Sequence, residues 1–244
     1  MPWTLPDTDA ERLALANGYP YAAPLNSYLF RDSRTHDISS ADYTGRVPVL
    51  AHGSNRAPEQ LARKFARFTG AASEIPVTYV WLDGYDVVYS AHITRYGSIA
   101  STLRAAPGCR VKVALTWLNR PQLERMHETE GNYRFGHLDG VGVTSEEGPP
   151  LGRNRIALYL SEHGCLADDA QPVGLAAIAS EGRGHPTRTQ GEALEFARRC
   201  LAPELPLESF ILGSIADEGL RRTRVARLRE IASIPETAPH FRQD

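Results

Sequence analysis

Val47-Pro48-Val49-Leu50-Ala51-His52-Gly53-Ser54-Asn55 reads as a short buried strand that breaks into a tight turn. A helix is expected next, over Ala57–Phe68, with Pro58 in its first turn and Leu61, Phe65 and Phe68 at helical spacing opposite the arginines. A glycine between strand and helix lets the backbone turn sharply and lets a ligand come close. The N–H groups that follow, at a helix head, favour an anion, and a carboxylate is a natural guest. The turn is too short for a phosphate-binding GxxxxGK[ST] loop, and it is not the GxSxG of a serine nucleophile. Read alone, it also serves as a plain N-cap.

Downstream the chain turns β-rich. Val77–Leu82 and Tyr85–Ser90 are separated by Asp83-Gly84, which predicts a hairpin. Ile99–Leu103, a turn at Pro107-Gly108 and Val111–Leu118 predict two more strands. Pro121 opens a helix to about Thr129, with Leu123 and Met126 inside and Gly131 just past its end. Gly136–Gly152, with Glu146-Glu147-Gly148-Pro149-Pro150, reads as a loop. Ile156–Leu160 and Gly174–Ala179 read as strands. Two C-terminal helices are expected, one from Thr189 with Glu192 at capping-box spacing, the other over Asp217–Ala232. Upstream, residues 1–45 are punctuated by Pro2, Pro6, Pro20 and Pro24 around a short helix at Asp9–Ala16. They are expected to pack as an extension on a domain spanning 46–244. Strands in hairpin order rather than βαβ alternation predict an α+β fold: a curved mixed sheet or small barrel with helices to one side, plus the N-terminal extension and C-terminal helices.

The 244 residues carry 27 Lys+Arg against 29 Asp+Glu, a net charge of −2. That balance predicts no global attraction to nucleic acid or to an anionic membrane. Nearly all the positive charge is arginine; Lys64 and Lys112 are the lysines. Three scattered cysteines without a CxxC pair suit a reducing compartment. The N-terminus lacks the pattern of a signal peptide, and no stretch approaches 18 apolar residues. A cytoplasmic protein is expected. At 26.9 kDa the folded chain should expose roughly 11,000 Å².

Met126-His127-Glu128-Thr129-Glu130-Gly131-Asn132-Tyr133-Arg134 gathers acids, a histidine, a tyrosine and an arginine at a helix end. Glu128 and Glu130 differ by two, so a helix points them roughly 200° apart and only one can face a site. A carboxylate at a helix C-terminus meets the negative end of the dipole, the environment a general base near neutrality needs. HExxH is absent, and His127 and His137 have no matching ligand pair, so no metal site is expected. Arg221, Arg222, Arg224, Arg227 and Arg229 read as a solvated helix face, with Leu220, Leu228 and Ile231 inside. His36, His92, His163, His185 and His240 read as structural, and Cys165 has no base partner in sequence.

Together these pieces resemble the γ-glutamylcyclotransferase-like family. Its members open with a strand running into Tyr-Gly-Ser-Asn and a helix, as in Val49–Asn55 here. A Leu-x-Gly-Tyr segment follows, matched by Leu82-Asp83-Gly84-Tyr85. A Gly-x-Ala-x-Ile/Leu stretch, Pro-Gly and an apolar strand are similar to Gly97–Leu103, Pro107-Gly108 and Val111–Leu118. Last comes a helix ending in Glu-Gly, as at Glu130-Gly131. Order and spacing agree over about residues 47–180.

The resemblance implies a γ-glutamyl amide substrate whose α-carboxylate rests on the N–H groups of Gly53, Ser54 and Asn55. It implies Glu130 as general base and then acid, closing a lactam and releasing 5-oxoproline and an amine or amino acid without metal or cofactor. His52, Tyr85 and Tyr133 are expected to shape the pocket. His52 departs from the family's tyrosine, and the N-terminal extension and C-terminal tail lie outside the family core. A non-catalytic small-molecule-binding or regulatory module on the same scaffold is the alternative, since a fold can outlive its chemistry.

Overall fold

Side chains alternate across a strand, and the run Val47–Ala51 is claimed on both sides: Leu50 enters one apolar cluster, Val49 and Ala51 another. Burial on both faces explains why this stretch is apolar without alternation. The computed structural model describes residues 4–145, 147–151, 155–235 and 238–244; Pro2, Glu146 and Gly152 of the sequence reading lie outside them. In chain order come α1 (Asp9–Asn17), β1 (Tyr28–Arg31), β2 (Arg34–His36), β3 (Val47–Ala51) and α2 (Pro58–Lys64). Next are β4 (Ile75–Ile93), β5 (Ile99–Leu118), α3 (Arg120–Thr129), β6 (Tyr133–Leu138), β7 (Val143–Ser145), β8 (Ile156–Ser161) and β9 (Cys165–Asp168). Helices α4 (Gln190–Leu201), α5 (Leu207–Ala216) and α6 (Glu218–Ile231) end the order, with short strands between and after. The fold is mixed α+β, built on one large open mixed sheet. The molecule exposes 11050 Å², close to the value expected from its mass.

At the centre of the sheet, β3 pairs antiparallel with β5, Val47 opposite Leu118 through Ala51 opposite Ala114, and parallel with β8 at Val49–Ala157 and Leu50–Leu158. Strand β6 then pairs antiparallel with β8, and Phe241–Gln243 closes on β6. The expected loop from Gly136 therefore begins inside β6 and contains β7.

Asp83-Gly84 is not a hairpin turn. β4 continues through it, pairing with β5 from Val77–Thr116 to Ile93–Ile99, with shifts in register between Asp83 and Tyr85 and between Tyr89 and Ile93. A straight strand of 19 residues would reach roughly 60 Å, longer than a domain of this size is wide. The pair must bend, and Gly84 (φ +76°) and Gly108 (φ +82°) supply left-handed backbone near the bend, one in each strand. Pro107-Gly108 is thus a bend as well. The true hairpin turn is Thr94–Ser98, closed by Thr94 N–H donating to Ser98 O at 2.8 Å and Gly97 N–H to Thr94 O at 3.0 Å.

Helices cover both faces of the sheet rather than one. Leu61 of α2 and Met126 of α3 join the cluster that holds Val49 and Ala51. Ala16, Leu194, Phe210, Ile211 and Leu228, from α1 and α4–α6, join the cluster that holds Leu50. Thr189 caps α4 through the expected box with Glu192. With α5 and α6 that makes three C-terminal helices rather than two; α5 is apolar nearly all round and gives no one-faced period to read. The arginine run is also not a plain solvated face. Arg224 is buried, donating to Phe210 O and Ser214 Oγ at 2.7 Å each, while Leu220 and Ile231 are exposed.

Candidate active site

The turn after β3, the Thr94–Tyr96 hairpin tip, the C-terminal end of α3 and one side of α6 enclose a cavity of about 500 Å³. His52, Gly53, Ser54, Asn55, Glu130 and Tyr133 all line it. Tyr85 does not: it is 2% exposed in the main core, 6.5 Å from the His240 ring. It sits just past the Gly84 bend, so the local twist directs it into the core.

Glu130 caps α3, its N–H bonded to His127 O at 3.3 Å, and the chain turns at once into β6. Its carboxylate accepts from Asn55 Nδ2 at 2.9 Å and is ion-paired through Oε1 with Lys64 Nζ. Glu128 points the other way, to Arg125 at 2.7 Å and Arg67 at 3.5 Å, half exposed. The two-residue offset therefore separates a solvent carboxylate from a cavity carboxylate. Lys64, the last residue of α2, reaches Glu130 because Arg125 Nε donates to Lys64 O at 2.8 Å, tying the ends of α2 and α3 together. The expected lone carboxylate against a helix dipole is thus a compensated ion pair. Asn55 Oδ1 is buried without a partner, an acceptor left open beside Glu130.

Gly53, Ser54 and Asn55 do not head α2. Ser54–Arg56 forms a separate turn of 3-10 helix, and Ala57 caps α2 without a side-chain bond. Gly53 is required by close approach rather than by its φ of −124°. A Cβ there would fall 2.7 Å from Ser101 Oγ and nearer still to the Tyr19 hydroxyl.

Ser101 of β5 organises the cavity floor. Tyr19 Oη lies 2.7 Å from Ser101 Oγ, which lies 3.1 Å from His52 Nδ1; His52 Nε2 lies 3.0 Å from Tyr159 O. A carbonyl can only accept, so Nε2 carries the proton and Nδ1 accepts from Ser101. One run of donors follows: Tyr19 to Ser101 to His52 to Tyr159 O. Burial lowers the His52 pKa and keeps the ring neutral, and it lifts that of Tyr19 to about 12. Tyr133 donates to Ser101 O at 3.1 Å. His52 therefore lines the wall with both nitrogens already committed.

Lys64, Tyr19 and Ser101 were not singled out from the sequence. One signal pointed to Lys64: it is one of two lysines in a chain that otherwise uses arginine. Nothing local points to Tyr19 or Ser101, which lie 82 residues apart. Among the described residues, no group of three or more His, Cys, Asp or Glu side chains could hold a metal ion.

No family model and no curated protein matches the chain. Among solved structures, a gamma-glutamyl cyclotransferase is similar over 48% of this chain at 18% identity with a TM-score of 0.37; the match takes in 66% of that neighbour, just under two thirds of its length. An uncharacterized protein from Homo sapiens is similar over 87% of this chain and 92% of its own, at 14% identity and a TM-score of 0.37. Both likenesses are weak links at the level of fold.

No helix among the described residues is long and apolar enough to cross a membrane.

Proposed function

We propose that the chain cleaves a γ-glutamyl amide by intramolecular cyclisation, releasing 5-oxoproline and an amine. The observation that carries this reading is that Glu130 and the Gly53–Asn55 turn face one cavity, joined by the 2.9 Å bond from Asn55 to Glu130. The four motifs of the family resemblance, in order along the sequence, support it.

In this reading the substrate's α-carboxylate meets the turn's N–H groups and the Lys64 ammonium, and its α-ammonium lies between Glu130 and the open Asn55 Oδ1. Glu130 takes a proton from the ammonium. The freed amine nitrogen attacks the δ-carbonyl carbon, forming the C–N bond of a five-membered ring. As that tetrahedral centre collapses, Glu130 returns the proton to the departing nitrogen and the original amide C–N bond breaks. The second proton of the ring nitrogen passes by the same carboxylate to the freed amine, which leaves as an ammonium beside the neutral lactam. Charge and protons balance, and no water is consumed. Nucleophile and electrophile belong to one molecule, so positioning supplies much of the acceleration. The described residues from 46 on form the working domain in this proposal, and residues 4–45 pack on it and lend Tyr19 to the floor.

One observation favours a second reading. The Lys64–Glu130 pair already satisfies the carboxylate, which suits a binding module that recognises a ligand without turning it over. The test is mass spectrometry for 5-oxoproline after incubation with γ-glutamyl amino acids, γ-glutamyl amines and glutathione. The cyclisation reading expects product from wild type and a loss of about 100-fold or more in Glu130→Gln. Product at wild-type rate from the variant refutes it, and ligand binding without product from either protein favours the module.

A further inference from the structure

Lys64 and Arg95, with Arg221, Arg222 and Arg229 of α6, bring five cations to the cavity lining, against the carboxylates of Glu130 and Glu218 among the described residues. Lys64 is balanced by Glu130, and Arg222 pairs with Glu218 at 2.5 Å. A γ-glutamyl head group adds nothing to the account, because its α-ammonium and α-carboxylate cancel. On α6 this leaves the guanidiniums of Arg221, which donates to the neutral Ser214 O at 2.7 Å, and Arg229 to meet the part of a substrate away from Glu130.

That far side is built rather than merely charged. Asn132, two residues past Glu130, has its Oδ1 3.1 Å from His163 Nε2. The His163 ring stacks on His92 at 4.5 Å and 14°. His92 is 8% exposed, and both Nδ1 atoms are buried without a partner. Burial, with His163 and Arg221 nearby, holds the His92 pKa down to about 3. The imidazoles are thus a neutral, flat wall, and the charge belongs to the guanidiniums. His163, Ala226 and Arg229 also line a second hollow of about 740 Å³ on the other side of this wall, where Glu162 and Glu230 face Arg134 and Arg229 across the lining.

We propose that the wall of His92, His163, Arg221 and Arg229 seats the leaving portion of the substrate, and that this portion is an amine bearing more than one negative charge, either a dicarboxylate or a phosphate monoester. The inference rests on the cyclisation reading for the head group and adds the class of amine released. Guanidiniums bind both anions through paired charge-assisted bonds, while the neutral imidazoles, with His163 Nδ1 an acceptor only, shape the wall without binding the charge.

Four substrates separate the possibilities: γ-glutamylaspartate, γ-glutamyl-O-phosphoethanolamine, γ-glutamylalanine and γ-glutamylethylamide, compared by kcat/KM for 5-oxoproline release. Both dianionic substrates should exceed the ethylamide by about 100-fold or more, and Arg229→Glu should narrow that ratio by about 10-fold or more. The faster of the two dianions distinguishes phosphate from dicarboxylate. Equal rates across the four, or an Arg229→Glu variant that slows all four alike, overturns the seat while the cyclisation reading stands. If no substrate turns over, titration calorimetry with aspartate, O-phosphoethanolamine and ethylamine reads the seat alone. Dianion binding weakened about 10-fold or more in Arg229→Glu upholds it with the cyclisation reading lost, and no dianion preference overturns it.

Discussion

The Lys64 ammonium and the Glu130 carboxylate meet inside the cavity, each side chain only 10% exposed. Removing one partner of a buried ion pair strands the other charge, at about 3–5 kcal/mol. Lys64→Met should therefore lower stability by an amount near that range in urea denaturation. Lys64→Met combined with Glu130→Gln should recover most of the loss, since neither charge then remains. A single variant as stable as wild type would mean the pair is solvated.

Gly53 is held against Tyr19 and Ser101 with no room for a methyl group. Gly53→Ala should cost about 1–3 kcal/mol, the usual toll of overpacking. Tyr19→Phe in the same chain should relieve part of that cost, because the hydroxyl is the nearest obstacle. Thermal melts of the two variants check this.

His52, His92 and His163 all have lowered pKa values, caused first by burial. The unfolded chain therefore binds protons that the folded chain refuses as pH falls below about 6.5. Stability from this source is complete above that pH and is lost on acidification, at about 1.4 kcal/mol per pH unit for His92, whose pKa is held down to about 3. His92→Phe, which keeps the stacked ring, should remove about one such increment from the slope between pH 6 and 5 in urea denaturation. An unchanged slope would mean that His92 titrates normally.

Gly84 and Gly108 take left-handed backbone where β4 and β5 bend, and nothing crowds either one. Gly84→Ala should cost about 1–2 kcal/mol through conformation alone, and Gly84→Asn should cost less because asparagine tolerates that region. Equal costs for the two would point to lost packing instead.

Features fixed by neighbours in sequence were legible before the structure. The β3 run and its glycine turn, the α3 stretch ending at Glu130, and the Thr189 cap each depend on residues a few positions apart. Asp83-Gly84 misled because the same dipeptide serves a tight turn or a bend, and only the partner strand decides which. Tyr85 moved from pocket to core for that reason. The site's other contacts were invisible because their partners are remote: Lys64 is 66 residues from Glu130, and Ser101 is 49 from His52. The arginines of α6 carry no mark in sequence that separates the buried Arg224 from those at the cavity.

The central claim is that the substrate's own amine, not water, attacks the amide. The most direct measurement is the product formed from γ-glutamylaspartate by wild-type protein in heavy-oxygen water. Cyclisation predicts 5-oxoproline with no heavy oxygen, together with free aspartate. Glutamate carrying the heavy oxygen would show hydrolysis and contradict the account.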